Sequence, residues 1–365
     1  MEKIKSLIDL TEIEPEALKQ IYDVASLDIV KKLAIMPDVH TGYDLCIGGV
    51  ALVEDYISPS FVGYDIGCGM CFVNTEIDAD EILRSKKDRE KVAQEIYRDI
   101  PVGKNIRKEP LDYVPFRSAS GDKNLEKKVN DKLFLSLGTL GSGNHFIEIG
   151  KNLEGKLCIT IHSGSRNIGH SIASFYMKKG RFLPLDTDIG KAYLEDMNFA
   201  LEYALENRLT MMKRILKILG FTDKEIKKLL NKKLINENHN HAVLTEEGVL
   251  HRKGATPAEK GQYGIIPANM RDGVYVTVGL GNKEFLSSAS HGAGRVLSRR
   301  KAKEVIDLKE FKKVMEMADI VAKVSEKTID EAPFAYKDIN KVIQAQEGVV
   351  VKVVDVVKPL INIKG

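Results

Sequence analysis

No repeat, low-complexity tract or Pro/Ser-rich linker divides this chain of 365 residues, and its polar segments bearing glycine and histidine are scattered from position 38 to position 364. Segments so far apart can share one site only if the chain folds back through a single interwoven body, so one domain over residues 1–365 is expected. Between them, helix-like and strand-like stretches alternate irregularly. Residues 81 to 100 read as a charged amphipathic helix, and Leu194, Met197, Leu201, Ala204, Met212 and Leu219 keep helical spacing until Gly220 stops them. Thr222 and Glu225 suit a capping box for the next helix. Leu157 to Ile161, Val274 to Val278 and the β-branched series Val349 to Val357 read as strands. Without a βαβ rhythm these elements predict an α+β fold of mixed and antiparallel sheets flanked by helices, with the helix over 191–219 as scaffold rather than site.

The side chains are 43% hydrophobic, enough for a large core, while 55 Lys plus Arg against 52 Asp plus Glu leave a net charge of +3 that neither requires nor excludes a nucleic-acid partner. No apolar stretch approaches the roughly 20 residues of a membrane span, and the chain begins with polar sequence, so a cytoplasmic protein is expected. Cys46, Cys68, Cys71 and Cys158 are too few for a disulfide framework; a special cysteine here reads as a ligand.

Only eight histidines occur, and one stands in Ser290-His291-Gly292-Ala293-Gly294-Arg295. Small residues let a polyphosphate approach the backbone, Arg295 can clamp its oxygens, and imidazole offers a nucleophilic nitrogen, so His291 reads as a covalent nucleotide carrier. Asp65 and Cys68 lie three residues apart in a glycine-rich turn, and His145, His162 and His239 sit in similar polar loops. Asp, Cys and three His suit a borderline divalent ion, with Mn²⁺, Zn²⁺ and Co²⁺ all compatible. Each piece also has a structural reading: a turn for Asp-x-x-Cys, a hydrogen-bonded histidine for His145 or His162, and core or structural roles for Cys71, His40, His170 and His241. Lys253 reads as a phosphate contact, whereas Arg299 and Arg300 read equally as a solvated charged face. Neither a dinucleotide fingerprint nor a P-loop is present.

Taken in order, Met36-Pro37-Asp38-Val39-His40, Asp65-Ile66-Gly67-Cys68-Gly69, Gly143-Asn144-His145-Phe146-Ile147-Glu148, His162-Ser163-Gly164-Ser165-Arg166, His239-Asn240, His251-Arg252-Lys253-Gly254, the run from Gly261 to Pro267, the His291 loop, Ala335-Tyr336-Lys337-Asp338 and Lys364-Gly365 resemble the RtcB family of RNA ligases over nearly the whole chain. The resemblance implies an RtcB-like fold and an enzyme that joins 2′,3′-cyclic phosphate or 3′-phosphate RNA ends to 5′-hydroxyl ends with GTP and two Mn²⁺ ions. It implies that His291 carries GMP and that Asp38 orients its ring. Asp65, Cys68, His145, His162 and His239 become the metal ligands. Asn144, Phe146, Glu148, Ala293, Gly294, Tyr336 and Lys364 become nucleotide contacts, with Arg166, Lys253 and Arg295 handling phosphates of GTP or RNA. A carboxylate such as Glu148 can accept from guanine N1–H and its amino group, which adenine cannot offer. A monomer is expected, and an archease-like activating protein is a partner the family resemblance admits. Lysine-based nucleotidyl transfer is excluded by Met270, which stands where Lys-x-Asp-Gly would need its lysine before Asp272-Gly273. Ala268-Asn269-Met270-Arg271-Asp272-Gly273 departs from the family's usual Gly-Ser-Met-Gly run, as do Asn167-Ile168 and the loop Thr41-Gly42-Tyr43-Asp44. The alternatives are a relative that caps 3′-phosphates with GMP or only hydrolyses cyclic phosphates, and a metal- and nucleotide-binding module without catalysis.

Overall fold

The computed structural model describes residues 3–365. Two antiparallel-rich sheets carry the chain, with helices packed around them, as the irregular alternation of the sequence predicts. A five-stranded sheet runs in the order Ile4–Ser6, Val30–His40, Ile47–Val53, Gly248–Lys253, Asn240–Thr245. A larger sheet runs Tyr263–Pro267, Val274–Gly279, Val351–Lys364, Phe146–Lys151, Lys156–Ser163, Gly69–Asp78, Ile235–Asn238, with the short strand Val321–Ala322 parallel to Val351–Lys364. Strands that are neighbours here are often far apart in sequence, so pairing register decides which loops meet at each sheet end. Residue His239 is the single step between Ile235–Asn238 of one sheet and Asn240–Thr245 of the other. A two-stranded ribbon, Ala255–Pro257 with Ser288–Ser290, ends immediately before His291.

The long helix spans Asp188–Ile218, started by the Thr187 hydroxyl on the Gly190 N–H and followed by Gly220 at φ 93°. Met197, Ala204 and Met212 are buried along it, while Leu194 and Leu201 are half-buried against the same core. The Thr222/Glu225 capping box is present. The charged segment over 81–100 is not one helix. Ala79–Ile82 ends at Leu83, and Lys86–Asp99 starts afresh because the Ser85 side chain and the Asp88 carboxylate cap each other's backbone N–H groups. The last strand also differs from its expected span: it begins at Val351, after a turn at Gly348, and continues through a bulge at Pro359 to Lys364. Among the described residues no helix is long and apolar enough to cross a membrane.

The long helix does more than fill the core. Arg208, fully buried, donates to the Gly67 carbonyl (2.8 Å), the Ser163 carbonyl (2.9 Å), Asn236 Oδ1 (2.7 Å) and Asn238 Oδ1 (2.7 Å). Its neighbour Asn207 bonds Thr139, Ser163, Gly164 and Gly138. These acceptors lie beside four of the polar loops that the sequence singled out, so a scaffold helix sets their positions. Arg208→Met keeps the volume but orphans two buried carbonyls and two half-buried amide oxygens, and should lower the unfolding free energy by about 3 kcal/mol in a denaturant titration. An unchanged midpoint would show that those loops are held by something else.

Candidate active site

Antiparallel register places Met70 and Phe146 on either side of His162, and Gly69 opposite Asn238. Cys68 precedes Gly69, His145 precedes Phe146 and His239 follows Asn238, so the ligand candidates collect at one end of the larger sheet. Cys68 Sγ lies 3.4 Å from His145 Nε2 and 3.2 Å from His162 Nε2. Asp65 Oδ2 is 3.2 Å from His145 Nε2, and the Nε2 atoms of His162 and His239 are 3.3 Å apart. Two triads, Cys68/His162/His239 and Asp65/Cys68/His145, each have their ligand atoms within 4.8 Å of one another.

The donor chemistry fits a metal. His145 Nδ1 donates to the Leu140 carbonyl (3.0 Å) and His162 Nδ1 to the Asn144 carbonyl (3.1 Å); a carbonyl only accepts, so both rings turn an Nε2 lone pair toward the cluster. Burial holds His162 and His239 well below the usual histidine range, leaving them unprotonated. Burial, with Asp65 alongside, pushes the Cys68 thiol well above its usual value, so a thiolate there requires a cation. Lone pairs that converge with so few protons between them suit borderline divalent ions, and sharing Cys68 leaves room for two.

His291 stands beside this cluster, its ring centroid 4.9 Å from that of His239. Its Nδ1 lies 2.6 Å from Asp38 Oδ2, and the same oxygen accepts from the backbone N–H groups of His291 and Gly292. Burial works to raise the Asp38 pKa, but His291 outweighs it and the carboxyl is held below its usual value. The pair fixes the ring by one nitrogen and leaves Nε2 for chemistry. Close packing demands glycine on both sides. A Cβ on Gly294, at φ 74°, would stand 2.3 Å from the Asp38 carbonyl oxygen, and one on Gly254, at φ 61°, would press on the His291 ring at 3.1 Å.

A cavity of about 630 Å³ opens over these groups and is lined by all five ligand candidates except His145, together with His291, Asn144, Phe146, Glu148, Ala293, Gly294, Tyr336 and Lys364. Glu148 is buried, and burial pushes its pKa up to about 8. Its Oε2 accepts from Asn362 (3.1 Å), while Glu148 Oε1 and Asn362 Oδ1 have no partner among the described residues. Two orphaned acceptors on one wall suit a ligand edge that donates. Lys364 does not reach Glu148. It pairs with Glu331 (2.6 Å), which also takes the Tyr336 hydroxyl (2.6 Å), Arg295 (3.2 Å) and Arg299. Burial works to raise the Glu331 pKa, but Lys364 and Arg299 bring it down to about 2.

Glu331 and Asn362 are therefore site residues that sequence reasoning missed. Neither carries a mark in the sequence: Asp330-Glu331 shows itself as a buried acidic pair in a single 3-10 turn only once the chain is folded. Arg299, left open between a phosphate-tracking cation and a solvated face, is bound to Glu331 and Asp330 and lines the cavity, whereas Arg300 is solvent-exposed. His40, read as structural, also lines the cavity while bonding the Asp38 carbonyl. Of the phosphate candidates, Arg295 reaches the cavity and Lys253 reaches it while holding the backbone carbonyls of Tyr43 and Ser60. Arg166 does not line it; its guanidinium bonds Thr139 and the Gly103 carbonyl behind the His145 loop. In the divergent run, Ala268, Asn269 and Met270 line the cavity, with Asn269 folded back on the Arg271 and Asp272 N–H groups.

Comparison with known proteins identifies the family. The family model for the tRNA-splicing ligase RtcB matches residues 20–365. The chain is 32% identical to the RNA-splicing ligase RtcB of Escherichia coli (strain K12), covering 97% of this chain and 95% of that one. It is 30% identical to the tRNA-splicing ligase RtcB of Nanoarchaeum equitans, covering 96% and 92%, and 29% identical to an RtcB homologue of Entamoeba dispar, covering 98% and 83%. The family match takes in the whole of the larger sheet and the His291 loop, and the chain belongs to the RtcB family of RNA ligases.

Proposed function

We propose that this chain joins RNA ends bearing a 2′,3′-cyclic phosphate or 3′-phosphate to 5′-hydroxyl ends, using GTP and Mn²⁺. The observation that carries the reading is His291, held through Nδ1 by a buried carboxylate and set with Nε2 free beside the Asp65/Cys68/His145/His162/His239 cluster. Nε2 attacks the α-phosphorus of GTP; the N–P bond forms as the bond to the bridging oxygen breaks and pyrophosphate leaves. A cyclic end is first opened by water to a 3′-phosphate. That phosphate takes GMP from His291 to give RNA(3′)pp(5′)G, and the 5′-hydroxyl then attacks the RNA phosphorus, expelling GMP. The two triads would hold Mn²⁺, which would supply there the positive charge that a polyphosphate and its leaving group require. Asp38 keeps the far ring nitrogen protonated, so the attacking one presents its lone pair.

Guanine fits the orphaned wall. Its N1–H and amino group would donate to Glu148 and Asn362, while Lys364 and Tyr336, fixed by Glu331, close the adjacent side. The small residues Ala293 and Gly294 leave the backbone open to phosphate.

GTP labelled on its α-phosphate should leave label on the protein in the presence of Mn²⁺, as an acid-labile adduct stable to hydroxylamine. His291→Ala should abolish it and Asp38→Asn should slow it by roughly 100-fold; an unlabelled wild-type protein ends the proposal. Cys68→Ala should lose bound Mn²⁺ by elemental analysis and guanylylation with it, whereas full occupancy would remove Cys68 from the ligand set. Glu148, with a pKa of about 8 in the free protein, is largely protonated at neutral pH and must ionise to accept two donors. Affinity for GTP should therefore rise with pH toward 8 and level off above it. Glu148→Gln should flatten that profile and narrow the preference for GTP over ATP, both readable by titration calorimetry.

A further inference from the structure

Two exposed tyrosines mark the mouth of the cavity. Tyr43 is 57% and Tyr64 40% exposed, and both line it. Their ring centroids are 5.8 Å apart with the planes tilted by 49°, and Tyr64 stacks on His170 at 5.1 Å with the planes 24° apart. None of the proposed nucleotide contacts uses them. Glu148, Tyr336 and Lys364 gather around Asn362 and Glu331, whereas the tyrosines gather around Lys253 and Ser60.

The Tyr43 backbone is pinned, and so is the segment that precedes Tyr64. The Lys253 ammonium, buried, donates to the carbonyl of Tyr43 and to that of Ser60 (2.9 Å), tying the loop that carries Tyr43 to the segment that leads into Tyr64. Asp44 adds a second tie, accepting from Ser60 Oγ and from Arg181. Gly63, at φ 90°, lets the chain pass over Lys253, whose Cε would stand 3.3 Å from a Cβ there. Exposed aromatic rings usually cost burial opportunity and gain nothing; here the fold spends a buried lysine and a buried serine on holding two of them in place.

We propose that Tyr43 and Tyr64, backed by His170 and anchored through Lys253, form a stacking platform for an unpaired nucleobase of an RNA end entering the cavity. The inference rests on the ligase reading and deepens it by locating the RNA. Every nucleobase has a π face, so such a platform accepts any sequence, as an enzyme acting on broken ends requires. Preset rings lose little entropy on binding. Tyr64 adjoins Asp65, and Lys253 adjoins Gly254, which packs on His291, so a base held there brings its own backbone toward the reactive centre.

The test uses the full chain and short single-stranded RNAs with 2-aminopurine as the terminal base, one with a 3′-phosphate and one with a 5′-hydroxyl. Stacking quenches this fluorophore, and the reading needs neither GTP nor joining. Wild-type protein should quench at least one of the two RNAs, and whichever it quenches is the end the platform takes. Tyr43→Ala and Tyr64→Ala should weaken that quenching and raise the joining KM for that strand about 10-fold. The corresponding phenylalanine substitutions, which keep the ring, should restore both, a result that a merely structural role of the hydroxyls or of the loops would not produce. Alanine variants that quench and join with wild-type KM overturn the platform. Quenching that depends on the tyrosines in a protein that joins nothing supports the platform and defeats the ligase reading instead.

Discussion

A guanidinium shut away from water holds the reactive loops together. Arg208 sits in the middle of the long helix, and its donors go to the Gly67 and Ser163 carbonyls and to the side chains of Asn236 and Asn238. Those acceptors adjoin Cys68, His162 and His239. A buried charge of this kind is costly unless its donors are used, and here they are used on two buried backbone carbonyls and two asparagine side chains. The consequence is rigidity where three strands end. Cluster geometry at the 3 Å scale depends on it, because Cys68, His162 and His239 are each one residue removed from an acceptor of Arg208.

Three buried carboxyls around one cavity show how environment sorts one functional group into different tasks. Asp38 faces His291 and stays ionised, which fixes the ring. Glu331 faces two arginines, a lysine and a phenol and lies near 2, which makes it an anchor for the groups that would otherwise move. Glu148 is buried to the same degree, but Lys364, the nearest cation by sequence register, is already bound to Glu331; Asn362 is its partner, and it rises to about 8. Removing Glu331 would thus be felt at Glu148, which stands to gain the lysine that Glu331 now occupies.

Much of the site was legible because its chemistry is rare. A chain with eight histidines that places His145, His162, His239 and His291 in small-residue loops signals that those residues are not ordinary surface, and the structure brings them together with Asp65 and Cys68. Glu331 and Asn362 carry no such mark. Acidic residues and asparagines are common, and their importance here lies in partners 33 and 214 positions away. Arg299 shows the same limit from the other side: a charge next to another charge looks solvated until a buried carboxylate appears opposite it. Tyr43 and Tyr64 are ordinary in sequence too, and only their shared exposure at one rim gives them meaning.

The sequence by itself determined the types of element, the long helix with its glycine stop, the capping box after it, the family and the inventory of candidate nucleophile and metal-ligating side chains. It missed the break at Leu83 to Ser85 and misplaced the ends of the last strand, where a capping serine and sheet pairing override periodicity. Only the tertiary structure decided which donors meet, which carboxyl is charged and which arginines face the cavity. Helical and strand periodicity report on one element's own neighbours. Strand register across segments as distant as 69–78 and 235–238, and burial that sets each proton's cost, are properties of the closed fold.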